Sequence, residues 1–319
     1  MNKKKNQWKA WIYLLPALIV LAIFTVWPII NTLRMAFSNG YTYAKELKYG
    51  AFSFSFGFEN FVSVTSYQGF TTCLGNTLLL TVLTVPISTM LALLVAVALN
   101  SIKFVRKTMQ TIFFLPYVTN SIAIGMVFMA MFTMIPGVKA TDPYRSIGII
   151  NSIIEAFGGT RISWVNSDSS KAANLAVLVI YIVWNALPFK ILVLLGGLQS
   201  VNKQYYEAAK IDGTSRFRTF WRITVPLLSP MIAYVIITGF IGGFKEYSSI
   251  VGIFGNENSG DSMGPTGSPE RWNTMVGYIY QQITAQHHGD ASAAALILFA
   301  IIFAVTMVNM YVSKKKVHY

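Results

Sequence analysis

Long apolar runs alternate along this chain with short polar segments. The runs cover residues 11–33, 76–99, 111–135, 174–198, 223–244 and 291–312. About 20 apolar residues wound as a helix cross the hydrocarbon core of a bilayer, so the pattern predicts six spanning helices. Barrel strands would alternate apolar and polar positions, and these runs do not. The first run carries no charge from Ala10 to Leu33, and no small-residue cleavage pattern follows it. It therefore reads as an uncleaved span, longer than a leader's apolar core. Pro16, Pro28, Pro86, Pro116 and Pro188 fall within or at the ends of the runs, which membrane helices tolerate because neighbours satisfy the freed carbonyls. The predicted class is an all-α polytopic membrane protein.

Composition agrees. Of 319 residues, 54% are hydrophobic and 12% charged, against about 25% charged in soluble domains. The single cysteine, Cys73, excludes an internal disulfide framework and any multi-cysteine metal site. It reads as a small packed hydrophobe.

Charge orients the spans. With both termini inside, the inner segments carry fifteen Lys and Arg against two acids, Glu207 and Asp212. The outer segments carry nine cations and the other ten acids. Positive charge collects on the cytoplasmic side, so the net charge of +13 is a topology signal and not a sign of nucleic acid. The expected organisation is a cytoplasmic tail at 1–10, a first span and outer loop at 11–70, a membrane core at 71–312 with a cytoplasmic loop at 202–226 and an outer loop at 247–290, and a tail at 313–319. FSFSFGFENFVSV and ISWVNSDSS have the aromatic and turn chemistry of ordered outer loops, and NENSGDSMGPTGSPER the composition of a mobile one.

The cytoplasmic stretch 206–226, YEAAKIDGTSRFRTFWRITVP, is unlike its surroundings. Residues 203–212 are helix-competent. Asp212-Gly213 is a turn or helix-end signal, and Thr214 or Ser215 can cap a second helix. In that helix Phe217, Phe220 and Trp221 share one face, and Arg218 and Arg222 another. An interfacial helix lying on lipid, a docking element for a soluble partner and an RNA contact are all physically open, the last the weakest.

The spacing narrows the choice. EAA at Glu207, Ala208 and Ala209, then three residues, Gly213, nine residues, Ile223 and Pro226 resembles the EAA loop of binding-protein-dependent ABC importer permeases, with Val225 where leucine is usual. YLLPALIV, WPI, FGFENF, NTLLLT, FFLPYV and LGGLQSVNKQYYEAAKIDG extend the resemblance over almost the whole chain, toward the carbohydrate, maltose-permease-like subfamily. The resemblance implies that Glu207, Ala208, Ala209, Asp212, Gly213, Phe217, Phe220 and Trp221 couple the chain to an ATPase. It implies two ATPase subunits, a second permease chain, an extracytoplasmic solute-binding protein and a carbohydrate substrate, at a bacterial or archaeal plasma membrane. No phosphate-binding G-x-x-x-x-G-K-[ST] is present, so ATP and magnesium would belong to the partner, and this chain would hold no cofactor, no metal and no catalytic residue. Polyol-type solutes such as glycerol phosphate, and a stand-alone secondary transporter, are the alternatives.

The same resemblance implies a substrate pathway past Asn185, Ala186 and Phe189, then Gly239, Gly243 and Glu246, to which Tyr181 is added as the residue one helical turn before Asn185. Gly239, Gly242 and Gly243 can widen that pathway or let a partner helix approach closely. Lys190, alone among the charges in lying deep in a run, would meet Glu246 or an anionic substrate group, or snorkel to the cytosol. His287-His288 lacks further ligands at metal-binding spacing.

Overall fold

The computed structural model describes residues 3–50, 54–102, 108, 111–112, 115, 117, 119–139, 142–146, 148–166, 169–255 and 272–316. The basic stretch 103–107, most of 113–118 and the Gly/Pro/Ser-rich stretch 256–271 lie outside them. Four helices there are long and apolar enough to span a bilayer: Trp11–Ala36, Gln68–Ser101, Lys171–Ser200 and His288–Lys315. A fifth is assembled from Arg216–Leu227 and Ser229–Phe244, which meet at a 70° bend. The run expected at 223–244 is thus broken at Leu228, between Pro226 and Pro230, where proline removes amide donors and disfavours helical geometry just before it. The run expected at 111–135 contributes a 12-residue helix, Ser121–Phe132. Among the described residues the regular elements are helical apart from a two-stranded hairpin, Ile135–Lys139 against Asp142–Ser146, and an isolated bridge between Ser38 and Phe56. The segment expected to be a loop at 247–290 contains the helices Ser248–Phe254 and Met275–Thr284.

The chain divides into two compact units, Met1–Phe70 with Gly277–Phe299, and Thr71–Val276 with Ala300–Tyr319. In the first, Asn60 of the FGFENF stretch closes the end of the first span. Its amide donates to the carbonyls of Met35, Ala36 and Ser38 at 3.2, 3.0 and 2.8 Å. The last carbonyls of a helix have no partner within it, so one buried side chain satisfies what the helix end leaves open. Gly289 sits against that amide, and a Cβ there would lie 2.8 Å from its oxygen. Around this cap Phe37 packs with Phe56, Phe58 and Phe61 at centroid distances of 5.3, 5.5 and 5.0 Å. Arg34 pairs with Glu46 at 2.7 Å, and the Tyr41 hydroxyl donates to the same carboxylate.

In the second unit, one buried cluster gathers Leu80, Phe132, Val177, Leu178, Tyr181, Ile250, Ile253 and Trp272. A second gathers Ala92, Leu93, Ala96, Ile191, Leu194, Leu195, Leu228 and Val235. Lipid is as apolar as these side chains, so their burial does not by itself drive association, and close packing and hydrogen bonds must. Both are present. Gly125 and Gly252 bring two helix backbones into contact: a Cβ on Gly125 would lie 2.7 Å from the Gly252 Cα. Asn174 donates to the Trp164 carbonyl and the Ser169 hydroxyl, and accepts from the Trp272 indole at 3.1 Å. Thr77 accepts from the Met275 amide at 3.0 Å. Cys73 is buried, as its apolar setting suggests.

Two outcomes follow. Gly252→Val has no room, because its nearest neighbours are backbone atoms. It should cost about 3 kcal/mol or more, read as a lower unfolding temperature of the purified protein, whereas Gly242→Ala, with nothing within 4 Å, should cost almost nothing. Burial, followed by the hydrogen bond and charge of Glu46, pushes the Tyr41 phenol up to about 12. The Tyr41 hydrogen bond, aided by Arg34, holds Glu46 below its usual value. The raised phenol contributes stability that is complete below the unfolded tyrosine pKa and lost as pH rises through about 12. The lowered carboxyl contributes stability present above the unfolded carboxylate pKa and lost as pH falls below it. Tyr41→Phe should remove the alkaline limb of the stability profile and weaken the acid one, measured by unfolding across pH.

Candidate functional site

Six of the seven pathway residues expected from the sequence, Asn185, Ala186, Phe189, Gly239, Gly243 and Glu246, line one cavity of about 290 Å³. Ile182, Asn185, Ala186, Phe189 and Lys190 recur every three to four residues, and so form one face of Lys171–Ser200. Gln68–Ser101 contributes Thr84, Val85 and Ser88, and Ser229–Phe244 contributes Thr238, Gly239, Gly242 and Gly243. Tyr117 completes an aromatic wall, its ring stacked on Phe189 at 6.0 Å, with Tyr234 on the other side at 6.4 Å. Such a wall facing hydroxyls and an amide can hold a polar ring by stacking and hydrogen bonding.

Sequence reasoning missed Tyr117 and the hydroxyls. A signal for the hydroxyls is legible: Thr77, Thr81, Thr84 and Ser88 are spaced i, i+4, i+7, i+11 in an otherwise apolar run. Each donates to the carbonyl four residues before it, at 2.5–2.8 Å. That pattern hides the polarity from lipid and leaves oxygen lone pairs facing the unit's interior.

Lys190 neither pairs with Glu246 nor snorkels. Its side chain is 4% exposed. Its ammonium donates to the Val85 carbonyl at 3.2 Å, the Ser88 hydroxyl at 2.7 Å and the Thr89 hydroxyl at 2.9 Å. The lysine thus ties Lys171–Ser200 to the turn around Pro86. Gly239 makes room for it, since a Cβ there would lie 3.2 Å from the Lys190 nitrogen. Gly243 accommodates Thr81, which a Cβ would approach to 2.8 Å. These two glycines therefore serve packing inside the chain, while Gly242 stands open.

Tyr181 does not reach the cavity. It is fully buried, and its hydroxyl donates to the Ser121 carbonyl and lies 3.0 Å from the Ser121 hydroxyl. Asn185 touches the same hydroxyl at 3.4 Å. Glu246 accepts from the amides of Tyr247 and Ser249 at 3.2 and 3.1 Å, so it also caps the helix Ser248–Phe254. Among the described residues no group of three or more His, Cys, Asp or Glu side chains is arranged to hold a metal.

The stretch after Lys171–Ser200 is a helix pair. Gln204–Ile211 ends at Asp212, and Gly213 follows with φ +66°. Thr214 donates to the Ala209 carbonyl at 2.9 Å and Gly213 to that of Lys210 at 3.1 Å. This is a Schellman closure, which needs a left-handed residue where Gly213 stands. Ser215, and not Thr214, caps the next helix, accepting from the Arg218 amide. A π-helical turn, Phe220–Thr224, then rotates the face. Phe217, Phe220 and Trp221 stay in ring contact, the Trp221 centroid lying 6.3 Å from that of Phe217 and 5.1 Å from that of Phe220. Phe217 is 76% exposed and Trp221 44%, while Phe220 packs on the buried cluster around Leu194 and Leu228. Glu207 and Ala208 are exposed, and Ala209 is buried. Tyr206 reaches Thr224 at 3.4 Å and braces the pair.

Residues 64–318 match the family model of the binding-protein-dependent transport system inner membrane component. The chain belongs to this family. The permease is 29% identical over 94% of its length to a probable ABC transporter permease protein, the MG188 homolog of Mycoplasma pneumoniae, covering 84% of that protein. It is 31% identical over 96% of its length to the arabinooligosaccharides transport system permease protein AraP of Bacillus subtilis, covering 89% of it. Its fold resembles a chain of a bacterial ABC transporter that imports the acidic polysaccharide alginate, with a TM-score of 0.74 over 98% of this chain and 96% of that one at 21% identity. The permease is a multi-pass membrane protein that works with a binding protein and is not itself a catalyst.

Phe220→Ala should lower unfolding stability by roughly 2 kcal/mol, because it opens part of a packed cluster. Gly213→Ala should cost about 1 kcal/mol, because alanine resists the left-handed conformation. Phe217→Ala should leave stability unchanged. Thermal unfolding of the purified permease separates the three.

Proposed function

We propose that the permease is one of two membrane subunits of an ATP-driven importer. It passes a carbohydrate, delivered by an extracytoplasmic binding protein, through the cavity beside Asn185 and Phe189. Six spans then place both termini in the cytoplasm, and the helix pair at 204–227 meets one of two ATPase subunits. ATP and magnesium act there and not on this chain. The carbohydrate reading is supported by relatives named as arabinooligosaccharide and lactose permeases.

One observation carries the coupling. The helix pair exposes Phe217 and Trp221, and Phe220, whose ring lies 5.1 Å from that of Trp221, packs partly buried against the cluster that includes Ile191 and Leu194. Those two residues belong to the same helix as Asn185, Phe189 and Lys190. A push on the exposed aromatics is therefore delivered to a cavity-bearing span through packed side chains. Packed elements move as bodies, so such a push becomes rocking of a span and is not absorbed by bending. Glu207 offers an exposed carboxylate on the first helix of the pair for a cation on the ATPase, and the Asp212-Gly213 turn joins the two helices.

The test is capture and transport in the assembled complex. Phe217→Ala with Trp221→Ala should cut ATPase capture by tenfold or more, the scale of two interface anchors. Glu207→Lys and Gly213→Asp should abolish uptake while leaving the permease in the membrane. Solute uptake by the permease with no ATPase present would overturn the proposal. So would labelling of a Ser215→Cys variant by a membrane-impermeant maleimide added outside intact cells.

A further inference from the structure

Taking the cavity to be the solute path, as proposed above, we infer that it selects neutral, hydroxyl-rich solutes and rejects anionic ones. The selecting element is the way the chain has already spent its own protons. An ammonium has three protons to donate. Those of Lys190 go to Val85, Ser88 and Thr89. The ammonium of Lys190, the cation among the described residues of the wall, is therefore hydrogen-bonded before any solute arrives. Thr84, Ser88 and Thr238 each donate their hydroxyl proton to a helix carbonyl, at 2.7, 2.5 and 2.8 Å. What they turn to the cavity is lone pairs. Glu246 accepts from two amides and has no proton to give. Asn185 uses one amide proton on Ser121 and keeps another.

Apart from the remaining Asn185 proton and the Tyr117 phenol, the described residues of the wall offer acceptors, with one carboxylate and an aromatic face. Sugar hydroxyls are donors and fit such a wall. A carboxylate, sulfonate or phosphate brings more acceptors and a charge repelled by Glu246, and buried acceptors without donors are costly. The family fold does not itself decide this, since the solved importer with the same fold carries an acidic polysaccharide. The inference sets the glycerol phosphate alternative aside for this chain.

The experiment uses the assembled transporter in nanodiscs, without its binding protein, so that the selectivity of that protein is absent. Saturation-transfer NMR would measure binding of arabinotriose, its C1-oxidised aldonate and glycerol 3-phosphate. The neutral trisaccharide should bind at least about tenfold more tightly than either anion, because like charges in a shielded site are strongly disfavoured. Glu246→Gln keeps the carbonyl oxygen that caps Ser249 and removes the charge, and it should narrow the gap severalfold. Ser88→Ala with Thr89→Val releases the ammonium and should narrow it further, and where that variant fails to assemble the Glu246→Gln arm decides. Equal binding of trisaccharide and aldonate by the unaltered transporter would overturn the inference while leaving the carbohydrate reading intact. An unchanged gap in Glu246→Gln would overturn the role of the wall. Binding of none of the three probes, with no uptake of arabinotriose or maltotriose by the complete importer, would overturn the carbohydrate reading itself and this inference with it.

Discussion

The ammonium of Lys190, held by three oxygens of the turn around Pro86, is the contact from which the cavity's geometry follows. A charge in a spanning helix is costly unless it faces polar partners inside the bundle. Pro86 leaves its helix one amide donor short, and the hydroxyls of Ser88 and Thr89 turn back on the Thr84 and Val85 carbonyls beside it. The lysine gives its protons to the oxygens of Val85, Ser88 and Thr89 in this turn, and the turn supplies the acceptors that the lysine needs. Each makes the other tolerable in an apolar setting. The tie also holds two long helices at a fixed separation, and the space left beside it is the cavity.

Close approach does the rest of the organising. In hydrocarbon, apolar side chains gain little by leaving lipid for protein, so helices associate where backbones can touch or polar groups can pair. The Gly125–Gly252 contact is of the first kind, and the Asn174–Trp272 and Thr77–Met275 hydrogen bonds are of the second. Gly239 and Gly243 serve both purposes at once. Each removes a side chain that would strike Lys190 or Thr81, and each lines the cavity.

The helix pair at 204–227 places its aromatics on two kinds of surface. A plain helical projection puts Phe217, Phe220 and Trp221 on one stripe. In the structure the three rings stay in contact, and Phe220 packs partly buried against the cluster around Leu194 while Phe217 and Trp221 remain exposed.

Much of this protein was legible in its residues, because local chemistry dictates it. Apolar run length gives the membrane class. The Asp212-Gly213 dipeptide announces a left-handed helix end, which Gly213 adopts. The spaced EAA set marks the family. What the linear chain could not settle was which neighbour each side chain meets. Lys190 looked free to snorkel because its three acceptors lie about a hundred residues earlier. Asn60 looked like part of an aromatic loop, and it caps a helix that ends 24 residues before it. Tyr181 shares a helical face with Asn185 in projection, but the Ser121 helix covers it. Sequence patterns encode how each segment behaves alone, whereas these contacts arise only when segments distant in the chain compete for the same few donors, acceptors and gaps.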